Sequence, residues 1–375
     1  SNDTFEDYGL FTQVEQLNKT ALKAHGLDKS GHLYKVNSFD FHRFEDTIKL
    51  ADDPDYNQTA FEGMLEIKGD SDHTKLIEML DALNDDTQKI DDVLDTYFDT
   101  ENLVYWMAFQ ILTGNCDTQN RNCYLYSPLN SKVWYILDWD NDGMLRKLEL
   151  SLTGFSDYAS WERGVSNYWG NVLFNRALRS KSFRSELDSA VKDLRSYLTE
   201  ERLSKMVEHY REVTEPLVFA APDLENLPVT KDEYKQIAAA IPSEIEENYK
   251  SYRESYKKPM PFYIGVPQID NGKLRVNWDA SYDFEARDIR YTVELARDYA
   301  ISDVVFKAED VLLPEVTCDA PDAGQYFVRV RATNSDGYTQ DAFDYYVTDG
   351  GKQYGMKCFY VQDGGKVVED TYEEG

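Results

Sequence analysis

The hydrophobic period of this chain changes once, and every fold it can adopt must accommodate that change. Up to about Tyr256, apolar residues recur mainly at helical spacing, with a few short strand-like runs. After KKPMPFYIGVP (Lys257 to Pro267) they alternate in the runs KLRVNW, IRYTVEL, GQYFVRVRATN and DAFDYYV, separated by turn formers. A helical stripe and a two-residue alternation bury different faces, so one layer cannot serve both. The chain therefore reads as α+β, with a mostly helical domain over 1–257 and a small antiparallel sandwich over 258–350. Residues 351–375 add one strand, KQYGMKCFYV (Lys352 to Val361), and a frayed acidic tail, VVEDTYEEG. At 375 residues with six Trp, 27 Tyr and 18 Phe, there is enough apolar volume for two cores.

Within the first domain, TKLIEMLDAL (Thr74 to Leu83) and the stretch Asp99 to Thr113 carry helical patterns. The second is apolar nearly all round and should be buried. Asp99 or Thr100 can cap its start, Glu101 suits its first turn, and Gly114 suits its C-terminal cap. Further helices are expected at Tyr168 to Arg179, Ser182 to Tyr197, Glu200 to Thr214 and Pro242 to Tyr256.

Charge narrows the function. Asp plus Glu outnumber Lys plus Arg by 69 to 40, a formal charge of −29. Such a field repels phosphate backbones and anionic lipid, so nucleic acid and membrane surfaces are poor partners and a basic protein is a better one. A nucleotide would need divalent cations between itself and this surface. No apolar run is long enough to span a membrane, and no signal segment opens the chain. Four cysteines, Cys116, Cys123, Cys318 and Cys358, make neither a disulfide framework nor a zinc site by their spacing; Cys318 and Cys358 could form a bridge if the protein is secreted. The five histidines show no metal spacing, and Trp106, Trp134 and Trp139 read as core.

The stretch NCDTQNRNCYLYSPLNSKVWYILDWDNDG (Asn115 to Gly143) carries the chemistry. It begins where the buried helix ends and contains two strand-like runs, CYLYS and KVWYIL, which read as a hairpin around Pro128-Leu129-Asn130. DWDNDGMLRKLE (Asp138 to Glu149) satisfies the calcium-loop pattern, with Asp138, Asp140, Asp142 and Glu149 as ligands. An EF-hand needs a helix entering that loop, and here a strand enters it. A calcium loop of another kind is the alternative left open. The same residues also fit phosphoryl transfer. Asp117 and Asn122 form D-x-x-x-x-N, followed by a hairpin and then a metal-type Asp. In protein-kinase catalytic loops, that Asp accepts the substrate proton, while the Asn and a later Asp hold the metal.

At this point the chain resembles the spore coat protein H (CotH) kinase family, which has an atypical protein-kinase-like fold. The resemblance rests on YGLFTQVEQ (Tyr8 to Gln16), GHLYK (Gly31 to Lys35), FDTENLVYWMAFQILTGNCD (Phe98 to Asp117), RNCYLYS (Arg121 to Ser127) and WYILDWDND (Trp134 to Asp142). It covers the first half well and the helical remainder loosely. It implies ATP-dependent phosphorylation of Ser or Thr hydroxyls on a protein substrate, with Mg²⁺ or Mn²⁺. By the same resemblance Asp117 is the catalytic base, Asn122 and Asp140 hold metal, and Asp142 assists. Two departures stand out. Asp138 occupies the place where the family usually has Pro, and the family's usual Arg-Gly nucleotide segment would lie before Tyr8, where the chain has no room for it. The later region from Pro261 to Val347 resembles a fibronectin type III domain, with Trp278 on an early strand and Tyr326 on a late one.

Two cofactor contacts complete the set of candidates. Lys35 could meet a phosphate, and Glu15 could pair with it as kinase glutamates pair with their lysine. The rival class is a catalytically silent coat, scaffold or surface-adhesion protein. An appended sandwich and the family together point to an exported bacterial protein, at the cell surface or in a spore coat.

Overall fold

The computed structural model describes residues 7–145 and 159–370. Contacts divide it into two compact units, one formed by 1–149 and 171–249, the other by 150–170 and 250–375. The main boundary thus falls at Tyr249, eight residues before the expected one, and the described part of 150–170 joins the later unit rather than the earlier.

The first unit is built around one buried helix. In chain order its described elements are α1 (Lys19–Ala24), β1 (His32–Val36), α2 (Gln58–Met64), β2 (Leu65–Ile67), α3 (Thr74–Asn84), α4 (Ile90–Tyr97), α5 (Thr100–Thr113), β3 (Cys123–Ser127) and β4 (Tyr135–Asp138). After these come α6 (Val172–Arg179), α7 (Lys181–Tyr197), α8 (Glu200–Val218) and α9 (Lys231–Ser255), of which the part up to Tyr249 belongs to this unit. Helix α5 starts where Asp99 accepts the Asn102 amide at 2.8 Å and stops at Gly114, whose φ of 68° is left-handed. A Cβ at Gly114 would lie 2.6 Å from Nδ2 of Asn248, so only glycine fits there. Trp106 of α5 stacks on Phe174 of α6 with ring centroids 5.6 Å apart.

The expected hairpin exists, but it is half of a four-stranded antiparallel sheet in the order β2-β1-β3-β4. Val36 of β1 pairs with Cys123 of β3, which pairs with Asp138 of β4. One end of the sheet therefore collects the end of β1, the start of β3 and the end of β4. Every residue of β3 is buried, which fixes this register.

In the second unit, one sheet runs β5-β6-β9, from Gln268–Asp270, Lys273–Asn277 and Glu315–Asp319. The other runs β15-β14-β10-β7-β8, from Val367–Glu369, Met356–Val361, Gly324–Asn334, Ile289–Ala296 and Val304–Val311. Strand β11 (Thr339–Asp341) pairs with β10, and β12 (Tyr345–Thr348) pairs with β13 (Gly351–Tyr354). Leu274 and Val276 of β6, with Trp278 just beyond its end, share a core with Val293, Val328 and Phe359 from the other sheet, which makes this a sandwich.

Four expectations need correction here. The expected last strand is not an addition to a finished domain. It splits into β13 and β14, and β14 lies between β10 and β15 inside the larger sheet. VVE of the supposed frayed tail forms β15, because its register with Phe359 to Val361 gives those backbone groups partners. All four cysteines are free thiols: Cys318 sits on β9 and packs on the inter-sheet core, whereas Cys358 on β14 joins a separate cluster with Phe327 and Met356. Helix α9 begins at Lys231, eleven residues before Pro242, and passes through that proline.

Candidate functional site

Helix α5 ends at Gly114, and the loop that follows reaches β3 through Asn115, Asp117 and Asn122. Asn122 has a φ of 57° and Asp140 a φ of 53°; asparagine and aspartate are the residue types that tolerate this left-handed region best after glycine. These bends lie at the same end of the β3–β4 pair, since Cys123 and Asp138 are cross-strand partners. Asn122 donates its side-chain amide to Asp117 Oδ2 at 2.8 Å, which leaves its carbonyl oxygen as the other face of that group. Arg121 Nε lies 3.5 Å from Asp117 Oδ1. Asp117 is partly exposed, and Asp140 and Asp142 are exposed, so all three carboxylates can be reached from solvent.

The loop after β4 rests on the end of α5. Leu145 donates its amide to the Thr113 carbonyl at 2.8 Å. Gly143 is buried, and a Cβ there would meet Asn115 Oδ1 at 2.7 Å and Asp117 Cβ at 3.3 Å, so the metal-type loop and the Asp117 loop touch at that glycine. Asp138 accepts the Gln110 amide at 2.8 Å. Asp138 is exposed as a residue, but its carboxyl lies against the buried Gln110 and Trp106; that local dehydration raises its pKa, against the pull of the hydrogen bonds the two side chains donate.

The model of the CotH kinase protein family matches residues 2–253. This chain belongs to that family. No curated protein matches the chain. Among solved structures, the twitchin kinase region from C. elegans aligns at 19% identity over 25% of this chain and 20% of that one, with a TM-score of 0.19, too low to carry an argument.

Within the CotH domain, the sequence candidates separate into two groups. Asp117, Asn122, Asp140 and Asp142 lie at one end of the sheet, where Asn122 is hydrogen-bonded to Asp117 and the loop carrying Asp140 and Asp142 meets the Asp117 loop at Gly143. Lys35 lies near that end, one residue before Val36, with its ammonium 5.8 Å from the centroid of the Trp139 ring. Trp139 is half-buried, with its ring packed edge-on against the buried Tyr124 at the margin of a core cluster and the Lys35 cation on its outer side. Glu15 meets a different partner: its carboxylate binds His25 Nε2 at 2.8 Å, and both side chains are exposed. The acid opposite Lys35 in the β1–β2 register is Glu66, itself 2.5 Å from Lys68. Among the described residues, no group of three or more His, Cys, Asp and Glu is assembled to hold a metal, the three aspartates of the calcium-loop pattern included; Glu149 lies outside the described residues. Gln110, Asn115, Arg121 and Asn141, which also shape the site, escaped the sequence reading. Gln110 had left a signal, as a long polar residue inside an otherwise apolar helix.

Proposed function

We propose that the CotH domain is a metal-dependent protein kinase that transfers the γ-phosphoryl group of ATP to Ser or Thr hydroxyls. The observation that carries the reading is the Asn122–Asp117 hydrogen bond at the shared end of β3 and β4. Asn122 fixes one carboxylate oxygen of Asp117; the other, 3.5 Å from Arg121 Nε, is the one that would take the proton of a substrate hydroxyl once Arg121 turns toward solvent or phosphate. The turned backbone at Asn122 and Asp140 brings a carboxamide and a carboxylate to one edge. Two such oxygen donors are what Mg²⁺ or Mn²⁺ takes from a protein when phosphates and waters fill the remaining positions. Once bound, the metal would neutralise charge on the phosphate oxygens. Asp142 would add negative potential beside it, and Lys35 is the cation available for an α- or β-phosphate. The net charge of −29 favours a basic, Ser/Thr-rich protein as substrate.

We further infer that the second unit is a fibronectin type III-like sandwich. Three strands against a larger sheet support this, with Trp278 in the shared core. So does Tyr326 at the start of β10, which donates its hydroxyl to the Asp322 carbonyl at 3.0 Å as a tyrosine corner does. An exported address at a bacterial surface or spore coat follows only from the family and this appended unit.

Incubation with γ-labelled ATP, Mg²⁺ or Mn²⁺ and a basic Ser/Thr-rich protein tests the proposal. The wild type should transfer label, and Asp117→Ala and Asp140→Ala should not. Nucleotide binding without transfer by the wild type would leave the rival, a silent scaffold or coat component.

A further inference from the structure

Helix α5 buries a glutamine where its pattern asks for an apolar side chain. LVYWMAFQIL runs apolar on nearly every face, and Gln110 in it is fully buried. An amide in such a place is costly unless its polar atoms are used. Gln110 Nε2 lies 2.8 Å from Asp138 Oδ1 and 3.3 Å from Asn141 Oδ1, so one amide reaches both sides of Asp140. Asn115, also buried, continues the chain of contacts. Its Nδ2 lies 3.4 Å from the same Asn141 oxygen, and its Oδ1 accepts the backbone amide of Asp117 at 3.3 Å. The Asn115 amide in turn donates to the Gln110 carbonyl at 3.0 Å. These bonds start on a core helix and end on the backbone amide of Asp117 and on Asp138 and Asn141, the residues that bracket Asp140.

We propose that Gln110 is the positioning residue that fixes the 138–143 loop, and with it Asp140, relative to Asp117. The proposal rests on the kinase reading for its consequence, but the positioning itself can be measured without turnover. Packing alone does not account for the choice of residue, since Met or Leu would fill the same volume without burying an amide whose Oε1 has no hydrogen-bond partner among the described residues. The geometry gives Gln110 a task those residues cannot perform, donating to two acceptors that flank a left-handed residue.

The test uses the full chain with Gln110→Met, which removes the amide, and Gln110→Glu, which keeps its shape but removes the donor. Amide hydrogen exchange across 138–145 reads the loop, and equilibrium dialysis of Mn²⁺ with a non-hydrolysable ATP analogue reads metal affinity. Both variants should exchange faster in 138–145, with α5 itself still protected, and should bind Mn²⁺ about ten-fold more weakly. The double variant Gln110→Glu with Asp138→Asn reverses donor and acceptor and should restore slow exchange, which a role in packing alone would not produce. Unchanged exchange in a folded Gln110→Met protein overturns the proposal, as does failure of the double variant to recover. Faster exchange in the single variants, beside a wild type that neither binds Mn²⁺ nor transfers label, supports the positioning role and removes the kinase reading instead.

Discussion

Asn122 holds the Asp117 carboxylate at 2.8 Å from a backbone that is itself left-handed, at φ 57°. Side chain and backbone make separate demands at this position, and substitution can separate them. Asn122→Gly should keep the fold, because glycine meets the backbone demand, and should still lose most phosphoryl transfer. Asn122→Val should also lower the unfolding free energy, by about 1–2 kcal/mol relative to Asn122→Gly, since a branched side chain resists this φ. Denaturant melts of the two variants, read beside single-turnover labelling, check both halves.

Asp117 and Asp140 should fail in different ways. Asp117→Asn keeps size and hydrogen-bonding reach but cannot take a proton, so single-turnover transfer should drop by roughly 10²–10⁴ while ATP binding holds. Asp140→Asn should instead raise the Mn²⁺ concentration needed for half-maximal transfer. Equal losses with unchanged metal dependence in both variants would remove the assignment of roles.

Stability of the first unit should depend on His73. This side chain is fully buried, with Nδ1 2.9 Å from the Tyr34 hydroxyl and Nε2 3.1 Å from that of Tyr56. Burial pulls its pKa below the ordinary value, with Asp72 opposing. The unfolded chain therefore binds this proton more readily than the folded one. Its contribution is complete above the unfolded pKa, about 6.5, and is lost as pH falls through the folded value. The melting temperature should fall between pH 7 and pH 5, and a His73→Gln protein, less stable throughout, should show a shallower slope over that window.

In the second unit, Asp283 is an ionised group that the fold has closed over. Its side chain is 1% exposed, 3.2 Å from Arg287, and accepts the Asn334 amide at 2.9 Å. Dehydration raises its pKa, but Asn334, the backbone amides of Glu285 and Arg287 and the guanidinium together outweigh it, and the net direction is down. Asp283→Ala should cost about 2 kcal/mol or more by leaving those donors buried without it. Tyr326→Phe, which removes one neutral hydrogen bond to Asp322, should cost about 1 kcal/mol. Chemical denaturation of the sandwich checks the order of the two.

Long helices and the period change were legible because burial imposes them locally. Asp99 and Gly114 delimit α5 within a residue of the sequence expectation. The start of α9 was missed although its signal is present. Thr230 and Glu233 form a reciprocal capping box, with the Thr230 amide 2.7 Å from the Glu233 carboxylate, and Pro242 diverted the reading to a later start. Residue types and spacing pointed to Asp117, Asn122 and Asp140 as candidates, and their nearness along the chain follows from the hairpin register, in which Cys123 faces Asp138. Glu15 and Lys35 could not be paired from sequence, since which acid faces Lys35 depends on the β1–β2 register. Gln110 acts through contacts with residues 28 and 31 positions away, a separation no local pattern encodes.

The chain enters the second unit early, leaves it, and returns. Val165 donates its amide to Ser255 Oγ at 3.1 Å, and Trp161 reaches the Ala342 carbonyl at 3.2 Å. On the ribosome, 159–170 must therefore wait while the 171–249 portion of the first unit is made, and the larger sheet stays open until β14 emerges at Met356 to Val361. The order of synthesis and the order of assembly differ in this protein, so an interrupted translation product ending near residue 350 would expose an unfinished sheet edge to its neighbours.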